Sequence, residues 1–258
     1  MKIGIFDSGI GGLTVYNKLK SSLPGHEYIY FGDRLNAPYG EKSADEIKEL
    51  TRKIVTFLRS FGVEAIVVAC NTIVANAMDD ILRNCPIPVI GVIDPVIEHM
   101  KASGCKKIGL AATRATIDNG IYQVRLKGHG IETVSTICNK LVPLIEEGDM
   151  GPNMDAAIDY HFSNFVGKDL DALVLGCTHF PIIQNKIRRY MESKGENIRI
   201  INPASYVPSE LKNLAPSCTN YNRTADKFVF SKTAGITAKA IQDIAGKKVN
   251  RIEERVLT

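Results

Sequence analysis

Most of what would mark a chain for a membrane, for export or for a metal is missing here. No apolar run approaches the roughly 20 residues that a bilayer span requires. The opening residues, Met1-Lys2-Ile3-Gly4-Ile5-Phe6-Asp7, lack the apolar core of a secretory signal and run straight into a strand-like stretch. The six cysteines (70, 85, 105, 138, 177 and 218) contain no C-x-x-C pair and no zinc-like spacing. Free thiols in a reducing cytoplasm are therefore expected, with no metal site and no membrane contact. Basic residues interleaved with aromatics are also absent, which argues against nucleic acid as a partner. Three cofactor signatures fail as well. In Gly9-Ile10-Gly11-Gly12-Leu13-Thr14 a threonine stands where a dinucleotide fingerprint needs its third glycine. The same turn is not a Walker loop, and no lysine stands out at a strand end for a pyridoxal Schiff base.

What remains is an ordinary globular composition, with 45% hydrophobic and 23% charged residues and a net charge of +4 that is spread rather than clustered. At 258 residues the chain is long enough for two compact domains or one large α/β domain. Strand-like and helix-like segments alternate throughout, which predicts an α/β fold.

Two stretches organise the reading. Ile66-Val67-Val68-Ala69-Cys70-Asn71-Thr72 is matched by Leu173-Val174-Leu175-Gly176-Cys177-Thr178-His179. Each is a short apolar run ending in a cysteine, followed by side chains that hydrogen-bond. Strands of a parallel sheet covered on both faces read this way, and ligands of such sheets bind beyond the strands' carboxyl ends. Either cysteine alone is most simply a small core residue. The matched pair suggests two thiols facing one cleft.

In chain order, a strand at Lys2–Phe6 leads into the glycine-rich turn Asp7-Ser8-Gly9-Ile10-Gly11-Gly12 and a helix carrying Leu13, Tyr16 and Leu19. Such a turn before a helix N-terminus is suited to a carboxylate or phosphate. Glu27–Gly32 is a strand ending in the polar loop Asp33-Arg34-Leu35-Asn36-Ala37-Pro38-Tyr39-Gly40. Ser43 and Glu46 form a capping box before a helix ending near Gly62. After the Cys70 strand come a helix over Val74–Arg83 and a strand over Val89–Ile93, and Asp94-Pro95 breaks the pattern. The pattern then restarts. Lys107-Ile108-Gly109-Leu110-Ala111 echoes Lys2-Ile3-Gly4-Ile5-Phe6, and the Cys177 strand follows the Cys70 strand at almost the same offset, the mark of an internal duplication. Thr113 falls where Ser8 sits, while Ala112 replaces Asp7. The second unit carries a helix over Ile117–Lys127, a strand over Ile131–Thr136, helices over Asn153–Phe165 and Pro181–Glu192, and a strand over Ile198–Ile201. From Ser205 the tail holds a helix, the strand Phe228-Val229-Phe230 and a helix near Ala234–Ala245, and it is expected to pack back on the first unit. The expected domains are 1–94 with 205–258, carrying Cys70, and 95–204, carrying Cys177.

Two bases on opposite faces of one carbon can remove a proton from one side and return one to the other, inverting a stereocentre without redox change. In that chemistry Asp7 or His179 would move protons to and from the thiols, while Ser8, Asn71, Thr72 and Thr178 would hold carboxylates. A binding module for an amino acid or nucleotide is the competing reading, and it leaves two matched thiols unexplained. For bases reaching one carbon at about 3–3.5 Å each, the two sulfurs should stand roughly 6–9 Å apart.

Four stretches together, Asp7-Ser8-Gly9-Ile10-Gly11-Gly12, Gly32-Asp33 with Pro38-Tyr39-Gly40, Ala69-Cys70-Asn71-Thr72 and Leu175-Gly176-Cys177-Thr178-His179-Phe180-Pro181, give the chain a resemblance to the glutamate racemases over nearly its whole length. The resemblance implies two pseudo-symmetric three-layer αβα domains with mostly parallel sheets and a cleft between them, usually as a homodimer. It implies cofactor-independent racemisation of glutamate in the bacterial cytoplasm, supplying D-glutamate for peptidoglycan. Carried over, Cys70 and Cys177 are the catalytic pair, with Asp7 assisting on the Cys70 side and His179 on the Cys177 side. Asp7, Ser8, Tyr39, Gly40, Asn71, Thr72, Thr178 and His179 would bind substrate. Glu146 matches a glutamate of the family whose role stays open. Ile73, Ala112 and Asn202 depart from the family pattern, and an aspartate racemase or another two-thiol isomerase of the same superfamily is the nearest alternative.

Overall fold

The computed structural model describes residues 1–214, 225–235, 238–246, 249 and 252–257, so Cys218 and part of the expected last helix lie outside the described residues. The chain opens with β1 (Lys2–Asp7), α1 (Leu13–Ser22), β2 (Glu27–Gly32) and α2 (Ala44–Arg59). It continues with β3 (Ala65–Val68), α3 (Asn71–Asn84), β4 (Val89–Gly91) and α4 (Ile93–Ala102). The second run is β5 (Lys107–Ala112), α5 (Arg114–Asn119), α6 (Ile121–Gly128), β6 (Glu132–Ile137), α7 (Leu141–Glu147) and α8 (Pro152–Phe162). Then come β7 (Ala172–Gly176), α9 (Gln184–Ser193), β8 (Arg199–Ile201), α10 (Val207–Leu214), β9 (Lys227–Phe230), α11 (Ala238–Ala245) and β10 (Ile252–Glu254).

The strands form two sheets, ordered β10-β9-β2-β1-β3-β4 and β6-β5-β7-β8, with every described pairing parallel. The order β2-β1-β3-β4 in one sheet is repeated by β6-β5-β7-β8 in the other, so the duplicated sequence units have duplicated topology. Strand β9 pairs with β2 and β10 with β9, which places the strands of the tail in the first sheet.

Burial explains why β3 and β7 are strands without polar alternation. All of Ala65–Val68 and all of Ala172–Gly176 are buried, as expected for strands covered by helices on both faces. Alternate residues still face different neighbours. In β7, Ala172 and Val174 join the larger core shared with the first sheet, while Leu173 and Leu175 join a smaller core that also holds Cys177.

Local chemistry sets several boundaries. Ser43 Oγ accepts from the Glu46 amide and Glu46 returns a bond to the Ser43 amide, closing the capping box of α2. The helix expected over 117–127 is two helices, because Gly120 adopts the left-handed conformation (φ +77°) between α5 and α6. Asp94-Pro95 does not break the strand–helix pattern; both lie in the first turn of α4, where a proline's missing N–H costs no helical hydrogen bond. That helix starts at Ile93, which cuts the expected strand back to Val89–Gly91.

Candidate active site

Register carries both cysteines to the carboxyl ends of their sheets. Phe6 pairs with Val68 and Ala112 with Gly176, so Cys70 and Cys177 emerge just past β3 and β7, beside the ends of β1 and β5. Both thiols open onto one cavity of about 250 Å³ between the two sheets. That is below the roughly 300–1,000 Å³ of drug-sized sites, a size for a small metabolite. Of the residues singled out from the sequence, Ser8, Tyr39, Gly40, Cys70, Asn71, Thr72, Cys177, Thr178 and His179 all line this cavity.

Asp7 does not. It is fully buried behind the cavity wall, where Oδ1 accepts from the Gly9 amide (2.9 Å) and Oδ2 accepts from Thr178 Oγ1 (3.0 Å). The last residue of β1 thus ties the first sheet to the residue beside Cys177. Burial raises the Asp7 carboxyl above its ordinary range, against the opposing pull of His179 and of its hydrogen bonds.

On the Cys70 side, Ser8 Oγ lies 3.5 Å from the sulfur. Cys70 is also the N-cap of α3, where the first-turn Ile73 amide acts in favour of its thiolate. A helix N-terminus normally favours a thiolate. Here burial outweighs it, with the Asp7 charge acting in the same direction, and the Cys70 thiol is pushed up to about 12. Cys70 therefore rests protonated, as an acid.

The polar lining on this side is fixed from behind. Buried Tyr122 donates to Asn71 Oδ1 at 2.7 Å, which orients the amide and leaves its NH₂ to donate into the cavity. Thr72, Thr113 and Thr116 join their hydroxyls at 2.8–3.3 Å. Tyr39 donates to Asp33 Oδ2 at 2.6 Å, holding the Pro-Tyr-Gly turn. Glycine is required at the end of that turn, since a Cβ on Gly40 would sit 2.8 Å from Thr113 Cβ.

On the Cys177 side, His179 Nδ1 lies 3.8 Å from the sulfur and Nε2 lies 2.7 Å from Glu146 Oε1. Glu146 also accepts from the Ile10 amide (3.0 Å) and from Arg34 Nε (2.9 Å). Burial raises the Glu146 carboxyl, but the bonds and charge from His179, with those from Ile10 and Arg34, overcome it and hold it down near 2. Burial likewise disfavours the His179 cation, yet its contacts with Cys177 and Glu146 win and raise the imidazole well above 6.5. The two cysteines thus have different proton suppliers despite the matched topology.

This pair makes stability depend on pH in a defined window. A carboxyl lowered from 4.5 contributes fully above that value, and the contribution is lost as pH falls through about 2. An imidazole raised from 6.5 contributes fully below 6.5, and that part is lost as pH climbs through its folded value. The contribution of this pair to the urea midpoint should therefore be greatest between pH 4.5 and 6.5. Glu146→Gln should flatten the acid limb by up to about 3 kcal/mol, and an unchanged acid limb in that variant would contradict the arrangement.

Sequence reasoning passed over several wall residues. Thr113, Asn139 and Val142 line the cavity. Thr113 had a signal, since the duplication aligns it with Ser8. Arg34 had none, because its partner is 112 residues away. Among the described residues no group of three or more His, Cys, Asp and Glu side chains is placed to hold a metal ion, and no helix is long and apolar enough to cross a membrane.

The profile of the Asp/Glu/Hydantoin racemase family matches residues 3–207. A glutamate racemase of Hydrogenobaculum sp. is 32% identical over 96% of this chain and 94% of its own length. One from Aquifex aeolicus is 42% identical over 74% of this chain and 76% of its own. The crystal structure of the Francisella tularensis glutamate racemase in complex with D-glutamate superposes with a TM-score of 0.88 at 32% identity, covering 99% of this chain and 97% of the other.

Proposed function

The chain belongs to the Asp/Glu/hydantoin racemase family, and we infer that it interconverts L- and D-glutamate by a two-base mechanism in which Cys70 and Cys177 address the α-carbon from opposite sides. The observation that carries this reading is the placement of both thiols on one small cavity, each with its own proton partner.

The roles follow from the two environments. The resemblance gives Cys177 the α-proton of L-glutamate. His179, charged and held by Glu146, donates its Nδ1–H to the sulfur and stabilises the thiolate that acts as base. Cys70, kept protonated by burial, supplies a proton to the opposite face. In the reverse direction the roles exchange. Among the described residues no arginine or lysine lines the wall, and the hydroxyls of Ser8, Thr72 and Thr113 with the Asn71 amide hold the carboxylates instead. Hydroxyl and amide donors stabilise the carbanion's charge as it spreads into the α-carboxylate. Asp7 supports from behind by fixing Thr178 and the Gly9 turn.

Purified chain without added cofactor should convert either enantiomer of glutamate to the same equal mixture, followed by circular dichroism, and should act on aspartate at least about tenfold more slowly, since a missing methylene costs that much in a fitted pocket. No change in the signal with either enantiomer would overturn the reading. Burial of Cys70 also sets the alkaline side of the pH profile. With its thiol near 12, kcat for saturating L-glutamate should show no decline at about pH 8.5. A decline centred near 8.5, where an unperturbed thiol ionises, would contradict it.

Residues 1–94 with 205–258 form one lobe in this reading and 95–204 the other. A cytoplasmic homodimer supplying D-glutamate to peptidoglycan is carried over from the family resemblance. Sedimentation at twice the 28.3 kDa chain mass checks the dimer.

A further inference from the structure

Glu146, on the last turn of the short helix α7, depends on other elements to hold its carboxylate in place. Its Oε1 serves the Ile10 amide and His179 Nε2, and its Oε2 takes Nε–H of Arg34. Arg34 is largely buried, with a side chain 11% exposed, and Glu146 is 16% exposed. The guanidinium is in turn clamped from the far side: Nη1 donates to the carbonyls of Lys232 (3.2 Å) and Ala234 (2.8 Å). Those carbonyls follow β9, which is joined to the Arg34 loop by Ser231, whose amide donates to Gly32 O and whose hydroxyl accepts from the Leu35 amide. An unbroken chain of contacts therefore runs from the segment after β9 through Arg34, Glu146 and His179 to the Cys177 sulfur. Among the described residues no equivalent chain reaches Cys70, which has Ser8.

We propose that Arg34 is a positioning residue for the Cys177 half-reaction, anchoring the Glu146 carboxylate so that His179 keeps its contact with the Cys177 sulfur. This rests on the assignment of Cys177 and His179 above. Arg34 does not line the cavity, so its effect belongs in turnover rather than in substrate binding. Its planar fork spans Glu146 on one edge and the backbone carbonyls on another, which a lysine ammonium cannot do at once.

The test compares Arg34→Gln and Arg34→Lys in the full chain, with protonated and α-deuterated substrates of both hands. Arg34→Gln should lower kcat about ten- to a hundredfold, the loss of one charge-assisted hydrogen bond, with KM moving less than about threefold. Arg34→Lys should recover part of the loss and, being charge-conserving, carries the test if the glutamine variant folds poorly. The isotope effects discriminate. Slowing only the Cys177 step makes abstraction from L-glutamate more rate-limiting, so the effect with deuterated L-glutamate rises. The effect with deuterated D-glutamate falls, because its own abstraction, by Cys70, is no longer slowest. In a Glu146→Gln background, Arg34→Gln should add little further loss.

Turnover at the wild-type level in both variants overturns the proposal. So do isotope effects that move alike for both enantiomers, or a loss fully additive with Glu146→Gln. Failure of the underlying assignment looks different: Cys177→Ala would then racemise normally whatever Arg34 does.

Discussion

Cys70→Ala and Cys177→Ala should each abolish racemisation in both directions, by at least about a thousandfold, because each removes one of two groups that must act in turn. Equal losses alone would be uninformative, since a buried cavity tolerates few changes. The informative result is what survives. With Cys70 gone, Cys177 still faces the α-proton of L-glutamate, and slow exchange of that proton with solvent should persist with retention of configuration. With Cys177 gone, the same should hold for D-glutamate. Both substitutions are small reductions of side chains that are 5% and 7% exposed, so the fold should persist in each. Proton NMR of each enantiomer in heavy water reads this directly. Full racemisation by either variant would remove the two-base mechanism.

The next largest effect belongs to His179→Asn, expected to lower kcat by about a hundredfold, within the range for loss of a positioned acid–base group. Asparagine is close in size, and its amide can still donate a hydrogen bond towards the sulfur. It cannot hold an ionisable proton between Cys177 and Glu146. A variant that kept its turnover would show that orientation alone suffices and that the imidazole carries no proton. The loss should be asymmetric in the manner described for Arg34, since the imidazole contacts Cys177 while Cys70 has Ser8 at 3.5 Å.

Much of the fold and of the cavity was legible in the sequence because the signals were local or repeated. A short apolar run ending in cysteine, met twice at a nearly constant offset, gave the strands β3 and β7 and the placing of both thiols. The Asp7–Gly12 and Pro38–Gly40 turns were legible because glycine at those positions has a steric cause. A Cβ on Gly11 would come within 2.5 Å of Thr178 Oγ1, so the close approach of the two sheets is written into that residue.

What escaped was tertiary. Asp7 reads as a wall residue beside Cys70, yet its carboxylate turns across to Thr178, and nothing in the local pattern gives that direction. Arg34 reads only as part of a polar loop, while its partner comes from α7, 112 residues on. The break at Gly120 was missed because apolar periodicity continues through it. Asp94-Pro95 was over-read because proline stops a helix in its interior but is tolerated in the first turn.

The central claim is that one thiol takes the α-proton and the other returns a different proton to the opposite face. It is tested most directly by following L-glutamate with the wild-type chain in heavy water at early times. Each thiol exchanges its proton with solvent, so Cys70 should deliver deuterium. The D-glutamate first formed should carry α-deuterium, while the unreacted L-glutamate keeps its α-proton, and starting from D-glutamate should give the mirror result. Equal deuterium in product and recovered substrate from the first turnovers would mean that a single base serves both faces, and the two-cysteine account would be wrong.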